Sequence, residues 1–412
     1  MSKRALSSLS RPELALLLVL ACVQFTHIVD FMVLMPLGPQ LMRIFEISPQ
    51  QFGLLVSAYT FSAGFFGFFS AFIIDQFDRK TALIVLYVGF ALGTIACGLA
   101  PNYVFLLAAR SLAGAFGGVL GALILAIIGD TIPGERRGQA MGIVSTSFSM
   151  AATLGVPFGL QLATWFSWHA PFLLLGGIAV LNTLLIFFVV PVLNRHLVEG
   201  RPRIQPVKLL SDILHNKNQM RALAFTFLLM LSQFSVIPFL SPSLVANVGF
   251  REDQLFWVYL VGGGATIVTS PLVGVMADRF GKKLVFAIAG ACLMVPVLII
   301  THLGPAPVPL VLIVTTLFFV CGNARFIPAF ALITSTAGQR TRGSFMSINS
   351  SVQQIASGFA AFLSGLIVAK GATGRIERYE IVGYLSAAIM IGAILMARTL
   401  VATDEKPQVV MH

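Results

Sequence analysis

Three charged residues stand where an apolar solvent would not tolerate them. Asp30, Arg110 and Arg325 each lie deep inside an uncharged apolar run of membrane-crossing length, and of the sixteen acids only Asp30 is so placed. A charge at the centre of a bilayer costs at least about 2.5 kcal/mol, so an intramembrane ionisable residue marks function by default, with a partner to be named. The chemistry open to a lone carboxylate there is to take up and release a proton. An arginine near it would lower its pKa while burial would raise it. His27 precedes Asp30 by three residues and so shares its helix face. It is placed to relay or share the proton, or simply to hydrogen-bond the carboxylate. Arg325 sits in Gly322-Asn323-Ala-Arg325-Phe-Ile-Pro328, with no acid in the neighbouring apolar runs to neutralise it. It can reach Asp30, hold an anionic or polar group of a solute, or bond backbone carbonyls freed by Pro328.

The elements that must position these groups are helices in lipid. The chain has 412 residues, 57% hydrophobic and 10% charged, with a mean hydropathy of +0.91. A soluble domain carries about 25% charged residues. A spanning helix needs about 20 apolar residues, and twelve runs qualify: 13–37, 50–74, 81–99, 103–128, 140–166, 169–191, 221–248, 256–276, 283–302, 307–335, 343–369 and 380–400. Residues 1–191 and 221–412 thus hold six runs each. They are joined by a solvated linker at 192–220 that carries Arg195, Arg201, Arg203, Lys208 and Lys217.

Bases alternate between the gaps. Lys3, Arg4 and Arg11 precede the first run; Arg79/Lys80, Arg136/Arg137, the linker, Arg279/Lys282/Lys283 and Arg340/Arg342 fill the even gaps; Arg43 and Arg251 stand almost alone in the odd ones, with Lys370, Arg375 and Arg378 as the exception. Both termini are therefore expected to be cytoplasmic. The net charge of +11 lies in these short gaps and forms no nucleic-acid-binding face. By depth, Asp30 and Arg110 each lie seven residues from the far end of their runs, roughly 10 Å below that boundary.

Two phrases recur half a chain apart. Ala71-Phe-Ile-Ile-Asp75-Gln-Phe-Asp78-Arg79-Lys80 reappears as Gly274-Val-Met-Ala-Asp278-Arg279-Phe-Gly281-Lys282-Lys283, and Arg137-Gly-Gln-Ala-Met141 as Arg342-Gly-Ser-Phe-Met346. Their nearly equal offsets mark an internal duplication of the kind transporters use. No phosphate loop, hydrolase elbow or metal-ligand spacing occurs, and Cys22, Cys97, Cys292 and Cys321 all lie in apolar runs. An enzyme, a metal centre and a cofactor are not expected.

These residues resemble the major facilitator superfamily along nearly the whole chain. Gly274, Asp278, Arg279, Gly281, Lys282 and Lys283 match its loop 2–3 signature, while the first copy retains Asp75, Arg79 and Lys80. Arg110-Ser-Leu-Ala-Gly114 is similar to its fourth-span signature, and Gly155-Val156-Pro157-Phe158-Gly159, with an inserted Val156, looks like the Gly-Pro element of drug:proton antiporters and arabinose-efflux-type permeases. The resemblance implies an all-α protein of twelve transmembrane helices in two pseudo-symmetric six-helix bundles, monomeric, in a bacterial-type inner (plasma) membrane. It implies that spans 1, 4, 7 and 10 face a central cavity, where Asp30 and Arg110 meet, either as a proton switch or as a pair that pins two helices. Arg325, Asn323, Gln24, Gln233 and Ser232 would contact the solute. Asp75 and Asp278 with their neighbouring bases would latch the cytoplasmic ends in the outward-open state. The implied function is export of a small organic solute by proton antiport. Uptake by a facilitator or proton symporter, or lipid flipping, are the alternatives.

Overall fold

The computed structural model describes residues 9–194, 206–338 and 342–403; the expectations placed on Lys3, Arg4, Arg195, Arg201, Arg203 and Arg340, and on the side chain of Asp75, lie outside the described residues. The chain forms α1 (Arg11–Val33), α2 (Gly38–Ile44), α3 (Pro49–Ile73), α4 (Arg79–Gly98), α5 (Tyr103–Thr131), α6 (Arg137–Met150), α7 (Val156–Trp165), α8 (His169–Val189), α9 (Pro206–His215), α10 (Lys217–Ser243), α11 (Leu255–Phe280), α12 (Lys282–His302), α13 (Val308–Ser335), α14 (Arg342–Ile367) and α15 (Tyr379–Thr399). Among the described residues, eleven helical stretches are long and apolar enough to cross a bilayer, α6 and α7 counting as one. The 26-residue α14 is longer than most but carries Asn349, Ser350, Ser351, Gln353 and Gln354 in its middle.

Local chemistry starts these helices where they start. Ser10 with Glu13 and Ser48 with Gln51 make reciprocal caps, Asn102 and Asn216 cap α5 and α10, and Pro12 and Pro49 fill first-turn positions that need no amide. Gly281, at φ +93°, separates α11 from α12 in a conformation that disfavours any side chain. Large apolar residues such as Phe65, Phe69, Leu181 and Phe188 are exposed, as a bilayer solvent requires.

Three details add to the sequence reading. Within the 192–220 linker Pro206–His215 is helical, and α10 begins at Lys217. The 140–166 run is a single span with a π turn at Ala151–Gly155 inside it. A two-residue hairpin, β1 (Ala369–Lys370) and β2 (Ile376–Glu377), is a small addition to the all-α fold.

The core divides by depth. At the end away from the termini one apolar cluster draws on both halves of the chain, from Val33, Phe52, Ala109, Leu160 and Phe172 to Phe239, Tyr259, Val297, Phe318 and Val382. At the end that carries the termini there are two. One is built from residues between Leu16 and Val190 and the other from residues between Ile213 and Leu400, with Phe68 leaning on the second. The halves are therefore fused at the far end and packed separately at the terminal end. An ion pair between Arg43 and Glu252 also joins them at the far end.

Candidate functional site

Asp30 lies on α1 and Arg110 on α5, and the matched depths read from the sequence bring them into register. Arg110 Nη1 donates to Asp30 Oδ2 at 2.8 Å and to the Asp30 carbonyl at 3.2 Å, with both residues 0% exposed. The guanidinium also lies 4.4 Å from the centre of the Tyr59 ring on α3, a cation–π contact that gains strength when desolvated. Asp30 Oδ1, Arg110 Nε and the Tyr59 hydroxyl are buried without a well-formed hydrogen bond, and the Thr94 side chain stands beside the Asp30 carboxyl. The pair thus keeps hydrogen-bonding capacity in hand, which buried polar groups seldom do.

Glycines bring the helices close enough for this. Gly114 and Gly118 of α5 face the α3 backbone at Tyr59 and Ala63, and Gly117 gives way to the Tyr59 hydroxyl, 2.6 Å from where a Cβ would stand. Gly155 and Gly159 do the same on the other side of α1: a Cβ on Gly155 would meet Phe25 at 3.2 Å, and one on Gly159 would meet Val33 Cγ2 at 2.8 Å. Pro157 falls in the first turn of α7, just after the π turn, where its missing amide is not needed.

His27 does not join the pair. Both its ring nitrogens are unpartnered, and its ring lies beside Tyr59 and Phe90, centroids 6.3 and 5.9 Å away. Sharing a helix face did not produce contact, because Arg110 draws the Asp30 carboxylate toward α5.

Arg325 does not reach Asp30 either. It is 0% exposed and turns into its own half, donating to Gln233 Oε1, to Met390 Sδ at 2.8 Å, and at 3.5 Å to Ser232 Oγ and the Leu229 carbonyl. The expected bonds to carbonyls near Pro328 are replaced by one on α10. Ser232 is tied to Ser386 of α15 and serves as an interhelical bond. Asn323 donates to Ser270 Oγ at 2.6 Å, and Gln24 Oε1 is buried and unpartnered.

Aromatic rings connect the two centres. Phe31, next to Asp30, stacks on Tyr59 at 5.4 Å and meets Phe234, next to Gln233, at 5.8 Å. The sequence offered one signal for this, a single tyrosine in an apolar run; Phe31 and Phe234 are two among 35 phenylalanines.

At the terminal end Arg79 pairs with Asp130 at 3.4 Å and Lys80 donates to the Phe187 carbonyl at 2.7 Å. Asp78, where the family signature has glycine, caps α4 through the Thr81 amide and accepts from the Leu193 amide at 2.7 Å. Burial would raise its pKa, but the Thr81 and Leu193 amides outweigh that and hold it below the usual carboxylate range. In the second copy Asp278 and Arg279 are exposed with no ion pair between them, while Lys283 donates to the Arg398 carbonyl at 2.9 Å. The structure does not bring Asp278 onto its neighbouring bases.

The family model of the Major Facilitator Superfamily matches residues 20–244 and 222–410. The chain belongs to this superfamily. Membership makes it a membrane transporter and not an enzyme. It is 28% identical over 371 residues to the MFS-type transporter YwfA of Bacillus subtilis, covering 87% of this chain and 85% of YwfA. It is 28% identical over 260 residues to YceJ of the same organism, covering 63% of this chain and 66% of YceJ, a little under two thirds of that relative. Among solved structures, a bacterial homologue of the human lysosomal transporter Spinster in an inward-facing, unoccupied conformation superposes with a TM-score of 0.74 at 15% identity, over 97% of this chain and 100% of that one. A D-xylose-proton symporter superposes at 0.75 with 17% identity, over 94% and 98%. At such identities the likeness is one of fold.

Proposed function

We propose that this transporter moves a small organic solute by proton-coupled alternating access, with Asp30 as the proton-carrying group and Arg110 as its partner. The buried Asp30–Arg110 pair carries the reading. Protonating Asp30 abolishes an attraction that helps offset the desolvation of both groups. Arg110 is left to the Asp30 carbonyl and the Tyr59 face, which changes how α1 packs on α5. Unlike a pin made only for stability, the pair leaves Asp30 Oδ1 and Arg110 Nε with unused bonding capacity.

In this reading the chain crosses the membrane twelve times, as bundles 1–191 and 221–412 joined through 192–220, with the basic terminal end in the cytoplasm of an inner (plasma) membrane. The fused far end and separate terminal cores then correspond to an inward-open state. Asp278 and its bases would engage when the cytoplasmic end closes, and their present separation fits that role. His27, near but not touching Asp30, would serve only as a neighbour of the proton site.

Direction divides the reading. The Gly155–Pro157–Gly159 element favours antiport and export. Val156 interrupts that element, and the fold itself, shared with a D-xylose-proton symporter, is compatible with uptake as well. Proteoliposomes with an imposed pH gradient and a panel of labelled solutes separate the two. Symport accumulates solute when the outside is acid, and antiport when the lumen is acid. Solute flux that ignores the gradient in both directions would remove the proton from the mechanism.

A further inference from the structure

The sequence and the proposed transport leave the solute's chemistry open, but the Arg325–Gln233 contact constrains it. A guanidinium has five donors and no acceptor, so only the Gln233 carbonyl oxygen can face Arg325, as it does. The amide nitrogen of Gln233 must then point the other way. It has no hydrogen-bond partner among the described residues and is not among the sealed unpartnered atoms, on a side chain that is otherwise buried at 7% exposure. The whole amide edge lies against Gly322 of α13, with Nε2 3.4 Å and Oε1 3.5 Å from the place of a Cβ, so a side chain there would crowd both atoms. Arg325 thus fixes the orientation of an amide that would otherwise be free to turn over, and polarises its N–H bonds.

The surroundings add to this. Gln233 precedes Phe234, whose ring meets Phe31 where the two halves touch. The one acid at depth, Asp30, is held by Arg110. The other acids of the long helices, Glu13, Asp130, Asp278 and Glu380, all stand in first or last turns. Among the described residues, no carboxylate is therefore free to balance a cation near Gln233.

We infer that Gln233 is the specificity-determining donor of the solute site, held in orientation by the positioning residue Arg325. We further infer that the solute class is a neutral or anionic organic molecule presenting a carbonyl or carboxylate beside an apolar or aromatic body. This rests on the transport reading for the existence of a solute site, but not on proton coupling.

The test uses three probes with one ring and different heads, benzoate, benzamide and benzamidinium. They are titrated by calorimetry into the purified full-length chain in detergent with no pH gradient, so the result stands whichever way the coupling experiment falls. The expected order is benzoate and benzamide binding at one competitive site, with benzamidinium at least tenfold weaker. Gln233→Glu is nearly isosteric and gives Arg325 an ion pair. It should keep or raise the melting temperature while weakening benzoate and benzamide at least tenfold, because a carboxylate offers no donor. Arg325→Met leaves the amide free to rotate and should collapse the discrimination between benzamide and benzamidinium to within about threefold. Equal binding of benzamidinium and benzoate to the wild type, no binding of benzoate or benzamide, or unchanged affinities in a folded Gln233→Glu variant would each overturn the assignment.

Discussion

Replacing Asp30 by Asn removes a charge at constant size and so mimics the protonated acid. In the native protein that carboxylate receives Arg110 at 2.8 Å with both side chains out of solvent. Breaking a buried pair by neutralising one member costs about 3–5 kcal/mol. If a third of that differs between the inward- and outward-open states, the shift is about 1.4 kcal/mol, or tenfold in their ratio. The shift can be read without a known solute. Gly138 and Gly274, near the terminal ends of α6 and α11, have no atom within 4 Å of the place a Cβ would take. Cysteines there, with Cys22, Cys97, Cys292 and Cys321 replaced, accept spin labels without repacking. Electron–electron distance measurements between pH 5 and 9 should show a wild-type population that titrates. Asp30→Asn should be insensitive to pH and should match the acid limit of the wild type at every pH. A second variant separates coupling from folding: Asp30→Leu with Arg110→Met should recover the lost stability to within about 1 kcal/mol and still fail to titrate. An Asp30→Asn protein that keeps the wild-type titration refutes the argument.

Four further outcomes follow from the same geometry. Arg43 and Glu252 are 64% and 28% exposed in their side chains, so charge reversal at either should cost under about 1 kcal/mol in thermal unfolding. It should nonetheless lengthen spin-label distances across the far end, and the double reversal should restore them. Gly155→Leu would force a side chain against Val29 and Phe25 and should destabilise by about 1–3 kcal/mol. Gly142→Ala, with nothing nearby, should be neutral or stabilise by about 0.5–1 kcal/mol. Asp78→Ala loses a helix cap and the Leu193 contact and should cost about 1 kcal/mol. Because the folded state holds this carboxyl below its ordinary pKa, its contribution is present at neutral pH and is lost as the pH falls below the usual carboxylate range. The gap between wild type and variant in thermal unfolding should therefore close in acid.

What was legible in the sequence followed from one-dimensional regularities. Length and hydropathy marked the helices, the repeat paired the second half with the first, and counting residues from the run ends set Asp30 and Arg110 at one depth. What failed needed three dimensions. Arg43 and Glu252 are 209 residues apart, one on the seven-residue α2 and the other in a three-residue 3-10 turn, elements too short for a periodicity that would relate them. The helix at Pro206–His215, ten residues with Lys208 and Asp212 among them, is too short and too polar to register as a span. His27 has the spacing to meet Asp30, but spacing fixes a face and not a rotamer, and the stronger partner across the interface took the carboxylate. Arg325 has no acid within reach in its own half, and the cost of its burial is met by oxygen and sulfur acceptors on α10 and α15 that no spacing in the sequence relates to it.

Under the proposed alternating access, the rocking of two bundles would require a seam that survives the motion, and the α3–α14 contact has the composition for it. Near the far end a Cβ on Gly53 would stand 2.7 Å from the Ala361 carbonyl and 3.0 Å from the Gly365 Cα. At mid-depth a Cβ on Gly64 would meet the Ile355 side chain at 2.7 Å and the Ile355 amide nitrogen and Ser351 carbonyl oxygen at 3.2 Å, and one on Gly358 would meet the Thr60 and Phe61 side chains. Glycines therefore let the two helices come close, with backbone on backbone at Gly53 and Gly365, as small residues do in membranes. The α7–α11 side differs. Its closest approach is Gly263 on Thr153 and Ala152 at the π turn, while Met141 and Phe148 of α6 and Val268, Leu272 and Val275 of α11, nearer the terminal end, are exposed. One flank can slide about a smooth line while the other parts beyond the π turn. The glycines that a soluble helix would disfavour are thus placed where they hold the halves together without locking them, and the π turn stands where contact gives way to separation, directly behind the α1 segment that carries Asp30.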